Sequence, residues 1–430
     1  MIQASQSNSL FHAYGLVKML LWVPTEARQS ILPWNLQLRS SFNAVNDIMV
    51  DIDEVAGVPQ EIDLDANPWA PKFRPRQYLL DDLAMLNAAD NMEKAGLHMP
   101  DHRMSDKFKA AQKSRQDIEA RSNALHLPVL RNTSSDRESF DDSLAALETE
   151  AASLATKSTS LKKMKAEPIV PTYKPLFDKG VFEPLKFDVA NRFAAYMDHS
   201  LRLIKAEIAF SRLSSSMQEE ERETVRQRIQ KIHTNIKQSM IQKGTAEFNL
   251  WEKRATLVLD ELLASQADPP VLSVDRRSLE PMEAKVEEFW PAIPCMLLDI
   301  DPREKNFSSD ITSTVKALTL LRDLIPPLMW RRAASVSDSI DFIATEGGSD
   351  LVAEAPAITD PSVGGRLDHR EMKSSSLNRT MLEQLVEAWI EWPFRPTDAE
   401  LREANSGLEN VADTVEEEED GKTDVDDTAF

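Results

Sequence analysis

Phe289-Trp290-Pro291-Ala292-Ile293-Pro294-Cys295-Met296-Leu297-Leu298-Asp299-Ile300-Asp301-Pro302 is the stretch of this chain whose residue types could do chemistry at a defined place. Pro291 and Pro294 lack amide donors and fix φ, which excludes a helix interior or a central strand and leaves an extended loop. Cys295 to Ile300 behind it is a short apolar run, and Asp301-Pro302 stops it. A rigid loop feeding a buried strand places Phe289 and Trp290 at a sheet edge, where substrates or partners dock. Asp299 and Asp301 flank Ile300 at the strand end, a place where carboxylates can act, although a solvated strand terminus is the preferred account.

Arg276-Arg277 and Arg331-Arg332 are the best basic pairs. Arginine beside exposed aromatics such as Trp290 and Trp330 can bind phosphate and stack on bases. Phe289, Trp290, Arg276 and Arg277 are therefore the candidates for a nucleic-acid or partner surface. The seven histidines, His12, His98, His102, His126, His199, His233 and His369, show no metal spacing. His98 and His102 are four apart, but Met99-Pro100 intervenes and removes them from one helix face. A single cysteine, Cys295, excludes an intramolecular disulfide and a cysteine-based zinc site.

The elements that must position these residues follow from periodicity. Leu16 to Val23 reads as a buried strand stopped by Pro24, and Asn46 to Gly57 alternates as a strand with one face more buried. Thr25 begins a helix-like run that Pro33 closes. Proline-rich, irregular sequence runs from Pro59 to about Arg76, and Tyr78 to Lys94 is a helix with Gly96 as its C-cap. His98 to Ser135 is mixed and basic, and Ser139 to Lys165 is helical in pattern. Met197, Leu201, Ile204 and Ile208 form one helical stripe; Val225, Ile229, Ile232, Ile236 and Met240 form another. Ser214-Ser215-Ser216 separates them, and the pair predicts an antiparallel helical hairpin ending at Pro269-Pro270. Further on, Ser309 to Leu324 is a helix that Pro326-Pro327 ends, Ser335 to Pro361 is loop-like, and Thr380 to Trp392 is an amphipathic helix. Trp389, Trp392 and Phe394 are expected to pack that last region.

With 430 residues the chain can hold two domains, or one with large insertions. Its net charge of −21 argues against a chain-wide nucleic-acid footprint, but much of the excess lies in the acidic tail, Val411 to Phe430. That tail is disordered on composition alone; a solubilising role is preferred, with contact to a partner or autoinhibition as alternatives. No run of about 18 apolar residues occurs, so no membrane span is expected. The chain enters structured sequence almost at once, which suggests a missing N-terminal part.

Three segments line up in order: Leu10-Phe11-His12-Ala13-Tyr14-Gly15-Leu16-Val17-Lys18-Met19-Leu20-Leu21-Trp22-Val23-Pro24; Asp275-Arg276-Arg277-Ser278-Leu279-Glu280-Pro281 leading into Phe289-Trp290-Pro291-Ala292-Ile293-Pro294; and Glu387-Ala388-Trp389-Ile390-Glu391-Trp392-Pro393-Phe394-Arg395-Pro396. Together they resemble the fungal mitochondrial transcription factor B branch of the ribosomal RNA adenine N6-dimethyltransferase family. The resemblance implies an α/β plus α fold: the C-terminal part of a Rossmann-like methyltransferase sheet, a long helical insertion and a small helical C-terminal domain. Leu16 to Val23 would be the fifth strand, Asn46 to Val55 the sixth and Cys295 to Ile300 the seventh. The Phe289-to-Pro294 loop would lie beside the pocket for the target adenine. The implied organisation is a partial core at 1–57, an insertion at 58–280 with its hairpin at about 187–268, a return strand at 281–303, a helical domain at 304–398 and the tail at 399–430. An insertion between neighbouring strands must leave and return at nearly the same point; the hairpin in it is a candidate arm for a partner or a stabilising strut.

The family binds S-adenosylmethionine through a Gly-rich turn and an acidic residue on the ribose. No Gly-x-Gly occurs in this chain, so no cofactor is expected here. Asn8-Ser9-Leu10-Phe11 has the spacing of the family's catalytic tetrapeptide in outline and is not assigned that role. By resemblance the chain is a monomeric mitochondrial transcription initiation factor of the matrix, with mitochondrial RNA polymerase and promoter DNA or rRNA as partners and no membrane. The alternatives are an S-adenosylmethionine-dependent rRNA adenine N6-dimethyltransferase, which needs sequence upstream of Met1, and a non-enzymatic helical scaffold.

Overall fold

A computed structural model of the chain describes residues 15–59, 78–124, 137–156, 187–214, 216–241, 246–303, 311–331, 333–344 and 348–395. Residues 8–14, most of the proline-rich 59–76 stretch, Arg332 and the acidic tail lie outside the described residues. In chain order the described residues form β1 (Met19–Pro24), α1 (Arg28–Ile31), α2 (Ser41–Met49), β2 (Val50–Gly57), α3 (Tyr78–Ala95), α4 (Asp106–Lys113), α5 (Arg115–Ala124), α6 (Arg137–Thr156), α7 (Phe187–Ser214), α8 (Glu219–Ile241), α9 (Ala246–Gln266), α10 (Ser273–Arg276), β3 (Met282–Glu283), β4 (Cys295–Pro302), α11 (Ile311–Trp330), α12 (Val336–Ile343), α13 (Gly348–Ala353) and α14 (Arg379–Glu391). The result is a mixed α/β chain, mostly helical, around one small mixed sheet.

The sheet has the order β1-β4-β2-β3. β4 runs antiparallel to both β1 and β2, while β3 pairs parallel with the end of β2. Met296, Leu298 and Ile300 point from β4 into one core with Ile48 and Met49 of α2, Ile325 and Leu328 of α11, and Leu385 and Trp389 of α14. Each fully buried side chain of this size contributes roughly 1.5–3 kcal/mol. The sheet and the C-terminal helices thus share a single hydrophobic core.

Residues 46–49, expected as strand, are helix. Ser40 caps α2 by accepting from the Asn43 amide, and the Asn43 side chain accepts from the Ser40 amide in return. That start puts Ala44, Val45, Ile48 and Met49 on one buried face, and the strand begins only at Val50. β1 likewise begins at Met19 rather than Leu16, and it is not buried on both faces. The 98–135 stretch, read as mixed, contains α4 and α5, with Ser105 accepting from the Phe108 amide at the start of α4. The 335–361 stretch, expected as loop, contains α12, which Ser335 caps, and α13. Pro326-Pro327 do not end α11, which continues to Trp330. Burial of Leu324, Ile325, Leu328 and Met329 in the core offsets the two lost amide donors.

β2 leaves the sheet at Gly57, and the chain returns beside it. Val58 donates to the Cys295 carbonyl at 3.0 Å and Ala284 donates to the Gly57 carbonyl at 2.9 Å. Between these points α7 and α8 run back along each other on either side of 216–218 and pack with α6 through Phe140, Leu144, Leu203, Phe210, Ile229 and Ile232. The hairpin, expected to run to Pro269-Pro270, ends at Ile241; a third helix, α9, occupies the rest of that span, and α6 packs on the pair. It also lies along the 356–373 segment. Arg366 bonds Glu207 of α7 at 2.9 and 3.1 Å, Ser211 donates to Asp360, and Lys373 pairs with Asp260 of α9 at 2.8 Å. Gly364 has φ +99° and sits against Ala267, where a side chain would collide with the Ala267 Cβ.

Candidate functional site

β1 alternates between core and solvent. Met19 is buried, whereas Leu20 and Trp22 are exposed on the opposite face of this edge strand. Opposite them on β4 stand Asp299 and Leu297. Phe289 meets Trp22 edge-to-face with ring centroids 5.0 Å apart, a geometry that the aromatic quadrupole favours. Trp290 follows and is 98% exposed. The loop carrying it is tied at both ends: Phe289 donates to the Val286 carbonyl, Ile293 to Pro291, and Thr25 to the Pro294 carbonyl at 3.0 Å. Leu20, Trp22, Phe289 and Trp290 thus form an apolar edge on a held backbone.

Acidic groups surround this edge. Lys18 lies 2.9 Å from Asp299 and 3.6 Å from Asp301, and the Asp299 hydrogen bond leads the causes that raise its pKa. Arg103 pairs with Glu288 at 2.8 Å and holds that carboxyl below the usual glutamate range. Glu26 and Glu287 are exposed at the same end.

The structure does not bring Arg276 and Arg277 to the aromatics. Arg276 donates to the Pro270 and Val271 carbonyls and to the Asp47 carboxylate; Arg277 pairs with Glu280 at 2.5 Å. Asp47 also accepts from the fully buried Arg39 at 2.9 Å. Burial opposes the charged form of Asp47, but Arg276 and Arg39 together reverse this and hold its pKa below the usual aspartate value. Glu280 is the opposite case: burial outweighs Arg277 and pushes its pKa up. Trp330 is half-exposed on α11, and Arg331 stacks over Phe342 at 5.6 Å. Of the residues expected to pack the last region, Trp389 is buried and Trp392 stacks on it at 5.6 Å, but Phe394 is 75% exposed, because the chain has left the core beyond Pro393.

His199 and His233 each lie 3.5 Å from a glutamate, Glu150 and Glu371 respectively. Among the described residues no group of three or more metal-ligating side chains occurs, and no helix is long and apolar enough to cross a membrane. A cavity of about 450 Å³ lies between α3, α7, α9 and the Pro361–Gly365 turn. Another, of about 240 Å³, borders β2 and is lined by Asp53, Glu54, Glu280 and Glu283, with Arg28 on Glu54 and Arg277 on Glu280. These paired charges, without a Gly-rich turn, do not fit S-adenosylmethionine, and no methyl-transfer step is derived from them.

Sequence reasoning missed Trp22 and Leu20 as members of the edge. The signal was available: spaced by two on a strand, they share a face, and only Met19 and Leu21 were needed for the core side. The fold and site define a mixed α/β protein with a small four-strand sheet and an exposed aromatic edge. Comparison with family models, with curated proteins and with solved structures gave no match in any of the three.

Proposed function

We propose that the chain is a methyltransferase-derived mitochondrial transcription initiation factor, acting in the matrix with the single-subunit mitochondrial RNA polymerase to hold melted promoter DNA, without methyl transfer. The observation that carries this is the position of β4. The three segments that resemble the fifth, sixth and seventh strands of a methyltransferase sheet lie side by side, the last reversed between the other two. They do so although the insertion at 58–280 intervenes, and the chain on either side of it is joined by hydrogen bonds from Val58 to Cys295 and from Ala284 to Gly57. An insertion that leaves and returns at neighbouring strands is what the resemblance requires, and this supports the reading.

The test uses the full chain, the cognate polymerase and a premelted promoter. Accurate initiation and a shifted DNA band that both need the chain are expected, with no S-adenosylmethionine binding in a calorimetric titration. Methyl incorporation into small-subunit rRNA would instead establish the dimethyltransferase. Recovery of neither polymerase nor nucleic acid would leave a helical scaffold.

A further inference from the structure

Trp290 is almost fully exposed and follows Phe289, which packs on the half-exposed Trp22, while Leu20 is exposed on the same face of β1; clustered exposed apolar side chains of this kind mark an interaction site. We propose that this edge docks a protein that offers an apolar socket for Trp290 within a rim of lysine or arginine, and that nucleic acid is not its ligand.

Charge decides the class of partner. Phosphate recognition needs cations that are available to it. Here Lys18 pairs with Asp299 and Asp301 and Arg103 with Glu288, while the exposed Lys285 stands among Glu287, Glu288 and Glu283 in sequence. Arg276 and Arg277 are engaged elsewhere, with Asp47 and Glu280. Glu26 and Glu287 stay exposed within a few residues of Trp22 and Phe289, and Asp301 stays exposed beside Lys18 at the far end of the same strand pair. A nucleic-acid backbone would meet this field with repulsion, and so would a second copy of the same acidic edge. A basic protein surface would be attracted.

Geometry favours docking too. Buried tryptophan is enriched among residues that dominate interfaces. Trp290 is presented from a loop fixed by the Phe289 contact with Trp22 and by the Thr25 to Pro294 hydrogen bond, so little order is lost on binding.

The proposal rests on the transcription-factor reading for its probe, the cognate mitochondrial RNA polymerase; a labelled single strand of the premelted promoter is the second probe. Trp290→Ala in the full chain is expected to weaken polymerase binding about 30-fold. The double change Glu287→Lys with Asp301→Lys is expected to weaken it about tenfold at low salt and less at high salt. Trp330→Ala, on a different helix, leaves binding unchanged, and thermal unfolding checks that each variant is folded. Equal polymerase affinity of wild type and Trp290→Ala overturns the docking proposal while leaving the function standing. Loss of single-strand binding in Trp290→Ala, with polymerase affinity kept, overturns it in favour of nucleic acid. If the wild-type chain does not bind polymerase, the function and the docking proposal fall together.

Discussion

Arg276 donates its guanidinium to the carboxylate of Asp47, across 229 residues of sequence. The arginine stands in α10, just before the chain re-enters the sheet, and the aspartate stands in α2, just before β2 begins. The ion pair therefore ties the returning end of the insertion to the helix that leads into β2. Arg39 completes it from the other side, donating also to the Ser375 and Leu377 carbonyls, so the C-terminal segment is tied to the same carboxylate.

Asp47→Asn is expected to destabilise the chain by about 3 kcal/mol, because it leaves the fully buried Arg39 without its counter-charge. The pH dependence follows from the depressed pKa. Burial opposes ionisation, Arg276 and Arg39 more than offset it, and the folded value lies below the unfolded one. The contribution is thus present above the unfolded aspartate value of about 3.9 and is lost only as pH falls through the lower folded value. Urea unfolding of both proteins between neutral and strongly acid pH measures this. A wild-type advantage that vanishes already above pH 4 contradicts it.

His233 gives the opposite end of the pH range. Burial lowers its pKa, and Arg366 and Lys237 add to this, outweighing Glu371 at 3.5 Å and Glu207. A folded imidazole that resists protonation favours the native state fully above the unfolded value of about 6.5. That stability is lost as pH falls from there through the folded value. His233→Gln cannot titrate, so the difference in unfolding free energy between wild type and variant is expected to fall with pH below about 6.5, by no more than about 1.4 kcal/mol per pH unit. A difference independent of pH between 7.5 and 5 removes the assignment.

Trp389 and Phe394 separate packing from proximity. Trp389 is wholly buried against the sheet core, and Phe394 touches Trp392 at 6.2 Å while staying 75% exposed. Trp389→Ala is expected to cost about 3–5 kcal/mol and Phe394→Ala under about 0.5 kcal/mol. Thermal melts compare them directly.

How legible these arrangements were depends on the range of the interaction. α14 could be read because Leu382, Leu385, Val386 and Trp389 recur at helical spacing behind the Asn378 cap. The two long stripes of α7 and α8 were equally plain. Residues 46–57 misled because Ile48, Val50 and Ile52 alternate as a strand does, while Ala44, Val45, Ile48 and Met49 fit a helix as well; the Ser40–Asn43 cap decided it. Pro326-Pro327 misled because local cost was weighed without the core that α11 covers. At Arg277 the partner was visible, since Glu280 lies three residues on. At Arg276 it was not: nothing local points to Asp47. The Trp22–Phe289 contact is hidden for the same reason, with the whole insertion between the two residues.

The hairpin's attachment to the 356–373 segment gives a final prediction. Arg366 forks onto Glu207 with two bonds at 2.9 and 3.1 Å, and both side chains are largely buried. Burial lowers the arginine's affinity for its proton, but Glu207 outweighs burial and the net shift is upward. Two buried charges that satisfy each other cost little as a pair, whereas either one alone is expensive. Arg366→Met alone is therefore expected to lose about 3–5 kcal/mol, as is Glu207→Leu alone. The double variant should recover most of that loss, giving a coupling well above the ~0.5 kcal/mol of independent sites. Hydrogen exchange adds what the free energies do not say. Should the single variants release only α7 and α8 while the sheet keeps its protection, the clip is local and the hairpin can move as an arm. If protection falls throughout the chain, the hairpin is a strut on which the sheet core depends. Ser211 to Asp360 and Lys373 to Asp260 flank the clip on either side, and these further bonds make the strut the expected result.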